Sequence, residues 1–104
     1  MRNTQIAELE SRAGEVAATL RALGNDKRLM ILCKLSQDSE MSVNMLAEAV
    51  GLSQSALSQH LARMRAEGIV ATRRDSQTIW YRIADKNTEK LISTLHSIFC
   101  APDN

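Results

Sequence analysis

The chain has 104 residues, with 13 Lys and Arg against 12 Asp and Glu and a net charge of +1 at pH 7. This length accommodates one domain with a modest core. No apolar run is long enough to cross a membrane, and the acidic, amphipathic N-terminal stretch lacks the apolar region of a signal peptide, so a cytoplasmic protein is expected. In that compartment the two cysteines are expected to be thiols and not a structural disulfide.

Two helices are predicted before residue 40. The first covers residues 4–22, because apolar side chains recur there on one helical face: Ile6, Leu9, Ala13, Val16, Ala17 and Leu20. Asn25 or Asp26 can cap a second helix over about residues 26–36. That second helix is apolar nearly all round and is therefore predicted to be the buried centre of the domain.

Two short helices joined by a tight turn are predicted over residues 42–66. Gly51 suits the left-handed position that ends the first of them, and Ser53 is placed to cap the second. The second helix has one apolar face, formed by Leu57, Leu61 and Met64. This is the pattern of a helix-turn-helix, a motif that presents its second helix to the major groove of DNA.

The opposite face of that second helix carries neutral hydrogen-bonding side chains and one cation: Gln54, Ser55, Ser58, Gln59 and Arg63. These residue types contact base edges and phosphates, although an ordinary solvated helix face is the alternative. Residues 52–82 hold five arginines against two carboxylates, a balance of +3, so the rest of the chain carries −2. The positive charge is concentrated on the segment predicted to bind DNA.

A two-stranded hairpin is predicted over residues 69–83, because alternating apolar side chains flank the turn-forming Asp75-Ser76-Gln77. Arg73 and Arg74 lie near its tip. Directly after a recognition helix, such a hairpin is typical of a wing that contacts the minor groove or the DNA backbone; the alternative is a structural hairpin with solvated arginines. The fold is therefore predicted to be mainly α with a two-stranded β-hairpin wing, as one winged helix-turn-helix domain over residues 1–104.

A last helix is predicted over residues 87–99, with an apolar stripe formed by Leu91, Ile92, Leu95, Ile98 and Phe99. The first and last helices both carry wide apolar stripes, and one small domain cannot easily bury both. Residues 4–22 and 87–99 are therefore predicted to form the interface of a homodimer.

The order of these elements resembles the ArsR-type (arsenic-repressor-like) winged helix-turn-helix family. The similarity covers about residues 15–100, and three stretches are the most specific: LGNDKRLMILCKL, LAEAVGLSQSALSQHLARMRAEGIV and RRDSQTIWYRI. The resemblance implies a dimeric transcriptional repressor that leaves double-stranded operator DNA when an inducer binds. In that family the inducer is often a metal or metalloid.

The sequence departs from the metal-sensing members of the family. Ser42 and Asn44 stand where those members have cysteines at the start of the first motif helix. Their zinc site corresponds here to Asp85, Asn87, Ile98 and Ala101. One oxygen ligand is too few for a transition-metal site, so neither a metal nor another cofactor is expected.

Cys33 in the second helix and Cys100 at the end of the last helix are placed as in the persulfide-sensing branch of the family, the BigR and SqrR type repressors. The resemblance implies that persulfide links the two thiols within one subunit by a di- or polysulfide bridge and lowers operator affinity. Taken alone, each cysteine could equally be a small packing residue.

Other functions remain open from the residues. The two cysteines could serve a general thiol-oxidation sensor that responds to peroxide, or a metal sensor with further ligands. A winged helix that binds proteins and not DNA is the alternative from a different class. An enzyme is not expected, because the sequence has no Ser/His/Asp grouping, paired carboxylates or phosphate-binding loop.

Overall fold

The computed structural model describes residues 3–100. Within that range there are six α-helices and one three-stranded antiparallel sheet. The elements in chain order are α1 (Asn3–Ser11), α2 (Ala13–Leu23), α3 (Asp26–Asp38), β1 (Met41–Ser42), α4 (Val43–Val50), α5 (Gln54–Ala66), β2 (Val70–Asp75), β3 (Thr78–Ile83) and α6 (Lys86–Phe99). This architecture is a mainly helical winged helix-turn-helix, as predicted. No helix within the described range is both long and apolar enough to span a membrane.

The helix predicted over residues 4–22 is divided in two at Arg12. The backbone of Arg12 leaves the helical conformation (φ −109°, ψ 13°), and its N–H donates to the carbonyls of both Glu8 and Leu9. Gly14, which has a low helix propensity, lies two residues further on. The prediction of one continuous helix was therefore wrong, since periodicity alone does not register a local break.

Helix α3 is central but is not buried all round. Its Asn25 cap accepts hydrogen bonds from the N–H groups of Lys27 and Arg28, and the helix packs against α2, α4, α6 and β3. One face is buried through Ile31, Leu32 and Leu35, whereas Met30 and Cys33 are exposed. The expectation of burial on nearly every side was wrong, and the exposed strip is the part of α3 that carries a thiol.

The helix-turn-helix forms as its sequence predicts. Gly51 ends α4 in the left-handed conformation (φ 70°), and the Ser53 hydroxyl caps α5 by accepting a hydrogen bond from the N–H of Ala56. Three side chains of α5 are completely buried: Leu57, Leu61 and Met64. Because α5 packs against both α4 and β2, its apolar face is fully used and its polar face points away from the core.

The hairpin pairs β2 with β3 from Val70 opposite Ile83 to Asp75 opposite Thr78. The short strand β1, which the sequence did not predict, pairs with β3 and gives the strand order β1-β3-β2. One face of this sheet packs on the core through buried Met41 and Val70; we call the opposite face the outer face. Strand β1 thus ties the wing to the connection between α3 and α4.

Candidate DNA-binding surface and cysteine groove

The polar face of α5 is exposed along its whole length. All five side chains predicted there to contact DNA are exposed: Gln54, Ser55, Ser58, Gln59 and Arg63. They lie opposite the fully buried face of the same helix, so the packing that fixes α5 on the domain leaves these side chains available. The exposed face of α5 therefore presents hydrogen-bond donors, acceptors and one cation, and a single helix of this kind fits the major groove of DNA.

The first of these side chains is held by the preceding helix. The side-chain amide of Gln54 donates a hydrogen bond to the side-chain oxygen of Asn44, near the start of α4. A primary amide has a second N–H and a carbonyl oxygen, so this bond still permits contacts to a base edge. The pair therefore orients Gln54 at the N-terminal end of α5, where a recognition helix approaches the bases.

The two arginines of β2 lie on opposite faces of the sheet. Arg74 is exposed and lies directly across from Ile79, on the face that packs on the core further along the strand. Arg73 lies on the outer face, where its Nε is 3.0 and 2.8 Å from the two carboxylate oxygens of Glu40. Its guanidinium carbon is also 5.8 Å from the centre of the Trp80 ring.

This ion pair affects both partners. The hydrogen bond from Arg73 lowers the pKa of the Glu40 carboxyl below its usual value, and the same bond raises the pKa of the guanidinium. Glu40 therefore stays ionised at neutral pH. Glu40 could not be identified from the sequence, because the pair joins positions far apart in the chain through β1, an element that local patterns do not predict.

The structure brings the two cysteines to one groove between α3 and α6. The groove has a volume of about 470 Å³, and both Cys33 and Cys100 line it. Its other walls are partly apolar, through Leu29, Ile92, Leu95 and Phe99, and partly neutral polar, through Ser36, Gln37, Ser93 and Ser97, with His96 beside them. Both thiols are exposed and unbonded, so small reagents in solution can reach them.

The environment of Cys33 is unfavourable to its thiolate. Partial burial raises the pKa of the Cys33 thiol above its usual value, the proximity of Cys100 raises it further, and Lys34 only partly opposes these effects. Desolvation and a like charge both disfavour an anion. At neutral pH the Cys33 thiol is therefore a weaker nucleophile than an ordinary cysteine with a larger thiolate fraction.

Two of the positions that correspond to metal sites serve as helix caps. The Ser42 hydroxyl caps α4, and the Asp85 carboxylate caps α6 by accepting from the N–H of Thr88 at 3.2 Å and from its hydroxyl at 2.6 Å. Ala101 lies outside the described residues. Across residues 3–100 the structure contains no group of three or more His, Cys, Asp or Glu side chains that could hold a metal ion.

The first two helices and the last helix leave apolar side chains in solvent. Leu9 of α1, Leu20 of α2 and the Ile98 and Phe99 pair of α6 are all at least half exposed. A groove of about 480 Å³ runs between these helices. By contrast, Leu91 and Leu95 of α6 pack against the core of their own subunit.

Comparison with known proteins agrees with this architecture. Residues 25–72 match the family model that is described as bacterial regulatory protein, arsR family. The transcriptional regulator YgaV of Escherichia coli K12 is 44% identical over 97 residues, which are 93% of this chain and 98% of YgaV.

Solved structures of similar sequence superimpose over most of the chain. The transcriptional repressor BigR from Xylella fastidiosa has a TM-score of 0.85 at 41% identity, covering 92% of this chain and 97% of BigR. Reduced HlyU from Vibrio cholerae has a TM-score of 0.83 at 40% identity, covering 90% of this chain and 98% of HlyU. HlyU is a transcriptional activator. With this similarity in sequence and in fold, the chain belongs to the arsR family of bacterial regulatory proteins, in its BigR-like branch, and is a DNA-binding transcriptional regulator.

Proposed function

We propose that the chain is a homodimeric repressor that binds a specific operator through α5 and the wing and leaves it when persulfide links Cys33 to Cys100. The observation that carries this proposal is the shared groove: two thiols that are far apart in the sequence line one cavity between α3 and α6. The similarity to the repressor BigR supports repression, and the similarity to HlyU, whose reduced form has been solved, supports a redox change.

The DNA-contacting residues in this proposal are those that are exposed on α5 and at the wing: Gln54, Ser55, Ser58, Gln59, Arg63 and Arg74. The polar α5 side chains supply contacts to base edges, and the two arginines supply contacts to phosphates. Arg73 was predicted to belong to this set, but its guanidinium is occupied by Glu40.

The proposed chemistry needs no external oxidant besides the persulfide. One cysteine thiolate attacks the terminal sulfur of a persulfide RSSH, the S–S bond of that donor breaks, and RSH leaves after taking up a proton. The cysteine is then a protein persulfide. The thiolate of the second cysteine attacks the sulfur bonded to the terminal SH group, and hydrogen sulfide leaves as the bridge closes.

The length of the bridge depends on how many sulfur atoms have been transferred. One transfer gives a disulfide, and each additional persulfide inserts one more sulfur and releases one more RSH. A relaxed disulfide requires Cα atoms within about 7 Å of each other, whereas a longer sulfur chain spans a wider gap. Peroxide supplies no sulfur and can form only the direct bond, so a gap wider than a relaxed disulfide allows would favour persulfide as the inducer.

The location of the two thiols supports coupling to DNA. Cys33 lies on α3, which packs against α4 of the helix-turn-helix. Cys100 follows α6, which we propose as part of the dimer interface together with the first two helices. A bridge would fix the DNA-contacting part of each subunit relative to the dimer axis. Because half-sites lie about 34 Å apart, a small displacement of the two α5 helices would lower operator affinity.

Mass spectrometry of the persulfide-treated protein tests the chemistry. We expect one cross-linked peptide pair that contains Cys33 and Cys100, with the mass of a disulfide or of a disulfide plus whole sulfur atoms. A denaturing gel should show the subunit mass, because the bridge is within one subunit. Cross-links only between subunits, or persulfide on one cysteine with no bridge, would contradict the proposal.

A general thiol-oxidation sensor is the second candidate, and the exposure of both thiols supports it because peroxide can reach them equally well. The same mass measurement after peroxide treatment separates the two. A complete Cys33–Cys100 disulfide, formed by peroxide as fast as persulfide forms its product, would favour the general sensor.

A further inference from the structure

The wing contains a salt bridge that crosses the sheet. On the outer face, Trp80 of β3 lies directly between Arg73 of β2 and Ser42 of β1. Glu40 comes just before β1, so the side chain of Arg73 reaches over the Trp80 ring to meet it. The guanidinium Nε lies within hydrogen-bonding distance of both carboxylate oxygens.

A DNA phosphate would have to compete with Glu40 for Arg73. The guanidinium donates its Nε–H to the carboxylate and lies over an aromatic ring, so its charge is already paired and one of its donors is already used. The Asp75 carboxylate lies 3.9 Å from the same guanidinium and adds a second negative charge. Arg73 is therefore held and neutralised, although it lies in the most basic part of the chain.

Arg74 provides the internal comparison. It is the next residue on the same strand, it projects from the opposite face, and the structure of residues 3–100 gives it no ion pair. Strand β2 thus carries one engaged and one available arginine. Alternation along β2 separates them, and the position of Glu40 determines which one is engaged.

We propose that Glu40 is a positioning residue for DNA binding, which keeps Arg73 away from the phosphates and so limits the electrostatic share of DNA affinity. This inference rests on the proposed binding of DNA by α5 and the wing. The consequence concerns release from DNA. An allosteric coupling typically changes affinity by about 5- to 150-fold, and each extra phosphate contact adds to the affinity that the inducer has to overcome.

The salt dependence of binding to random duplex DNA is the appropriate test, since it counts phosphate contacts. In Glu40→Gln, Arg73 is released, and the slope of log K against log salt should steepen by about 0.9 for each subunit on DNA. Per subunit, the affinity ratio between 50 and 200 mM salt should then increase by about 3.5-fold. Glu40→Ala should behave in the same way, which controls for residual hydrogen bonding by glutamine.

The double variant isolates the role of Arg73. Adding Arg73→Gln to Glu40→Gln should return the slope to that of the unmodified protein, and Arg74→Gln alone should flatten it by about 0.9 per subunit. If the Glu40→Gln effect persists without Arg73, it reflects the lost negative charge in general, and the inference is wrong. It is also wrong if Arg73→Gln alone flattens the slope as much as Arg74→Gln. A failure of the unmodified protein to bind any duplex would instead overturn the proposed function, and this inference with it.

Discussion

Cys33 is the residue whose reactivity depends most on its surroundings. Its thiol lies on the exposed strip of α3, yet the groove wall desolvates it enough to raise its pKa. We expect the alkylation rate of Cys33 by iodoacetamide, measured against pH in a Cys100→Ser variant, to rise to its plateau at a higher pH than that of free cysteine. The variant removes the contribution of Cys100 but keeps burial, the larger cause.

The direction of this prediction follows from the thiolate being the reactive form. A raised pKa means that a smaller fraction of Cys33 is ionised at any pH below the plateau. Bridge formation should therefore accelerate as the pH rises above neutrality if Cys33 is one of the attacking groups. An alkylation midpoint at or below that of free cysteine would contradict the environment described for this thiol.

Individual residues were predictable where their partners are close in sequence. The cap at Ser53 was predicted, and Asn25 was one of two candidates beside Asp26, because each of these caps satisfies an N–H two or three positions away. Gly51 was predicted because few other residues accept its positive φ. Glu40 was not predicted, since its partner Arg73 is brought near only by the pairing of β1 with β3.

Among the helices and strands, α5 permits the most specific prediction, which concerns the discrimination between operator and random DNA. Ser58→Ala and Gln59→Ala change exposed side chains on the polar face and leave the buried face intact. Each should reduce discrimination between operator and random DNA by about 1–3 kcal/mol per lost base contact, measured by competition titrations. The salt slope should stay unchanged, because no phosphate contact is lost.

Arg74→Ala is the matched control on the neighbouring element. It should weaken binding to operator and random DNA alike and flatten the salt slope, leaving discrimination unchanged. The two kinds of variant therefore separate base contacts from backbone contacts. If the α5 variants discriminate as well as the unmodified protein, the operator is contacted by another face.

The elements themselves were predictable to different degrees. Helix α5 and the β2–β3 hairpin have strong periodicity and clear turn residues, and both were predicted within a few positions. Strand β1 has only two residues, too few to show any alternation. The break at Arg12 depends on local backbone geometry within an otherwise amphipathic stretch, and α3 was overestimated as a buried helix because Met30 and Cys33 are apolar but lie on its exposed side.

At the level of the assembly, the exposed apolar side chains of α1, α2 and α6 predict a homodimer. Leu20 is 54% exposed on α2, within the proposed interface. Leu20→Glu would place a charge in an apolar seam and should shift the sedimentation coefficient at micromolar protein concentration from dimer to monomer. Leu95 is a poorer choice, because it packs on the core of its own subunit and its replacement would also unfold the domain.

Met30→Glu is the control for the same substitution outside the proposed interface. Met30 is 41% exposed, and it lies on α3. This variant should remain a dimer. Dimers of undiminished stability in Leu20→Glu, or dissociation in Met30→Glu, would place the interface elsewhere.

The relation between the two cysteines could be predicted only in part. From the residues alone, each cysteine could have been a packing residue. The pairing of the two thiols was implied by the resemblance to persulfide-sensing repressors. The shared groove depends on how α6 packs back against α3, a tertiary contact between segments that are far apart in the sequence. The groove strengthens the proposal, and the reaction itself has to be measured.

The most direct test is fluorescence anisotropy on an operator fragment selected from random duplexes, with the unmodified protein, Cys33→Ser and Cys100→Ser, each before and after persulfide. Neither thiol lies on the DNA-contacting face, so all three should bind equally before treatment. Persulfide should lower the affinity of the unmodified protein by about 5- to 150-fold, the range of typical allosteric couplings. Both single variants should keep their affinity, because a bridge needs two ends. If persulfide fully releases either variant from the operator, the Cys33–Cys100 bridge is not the switch.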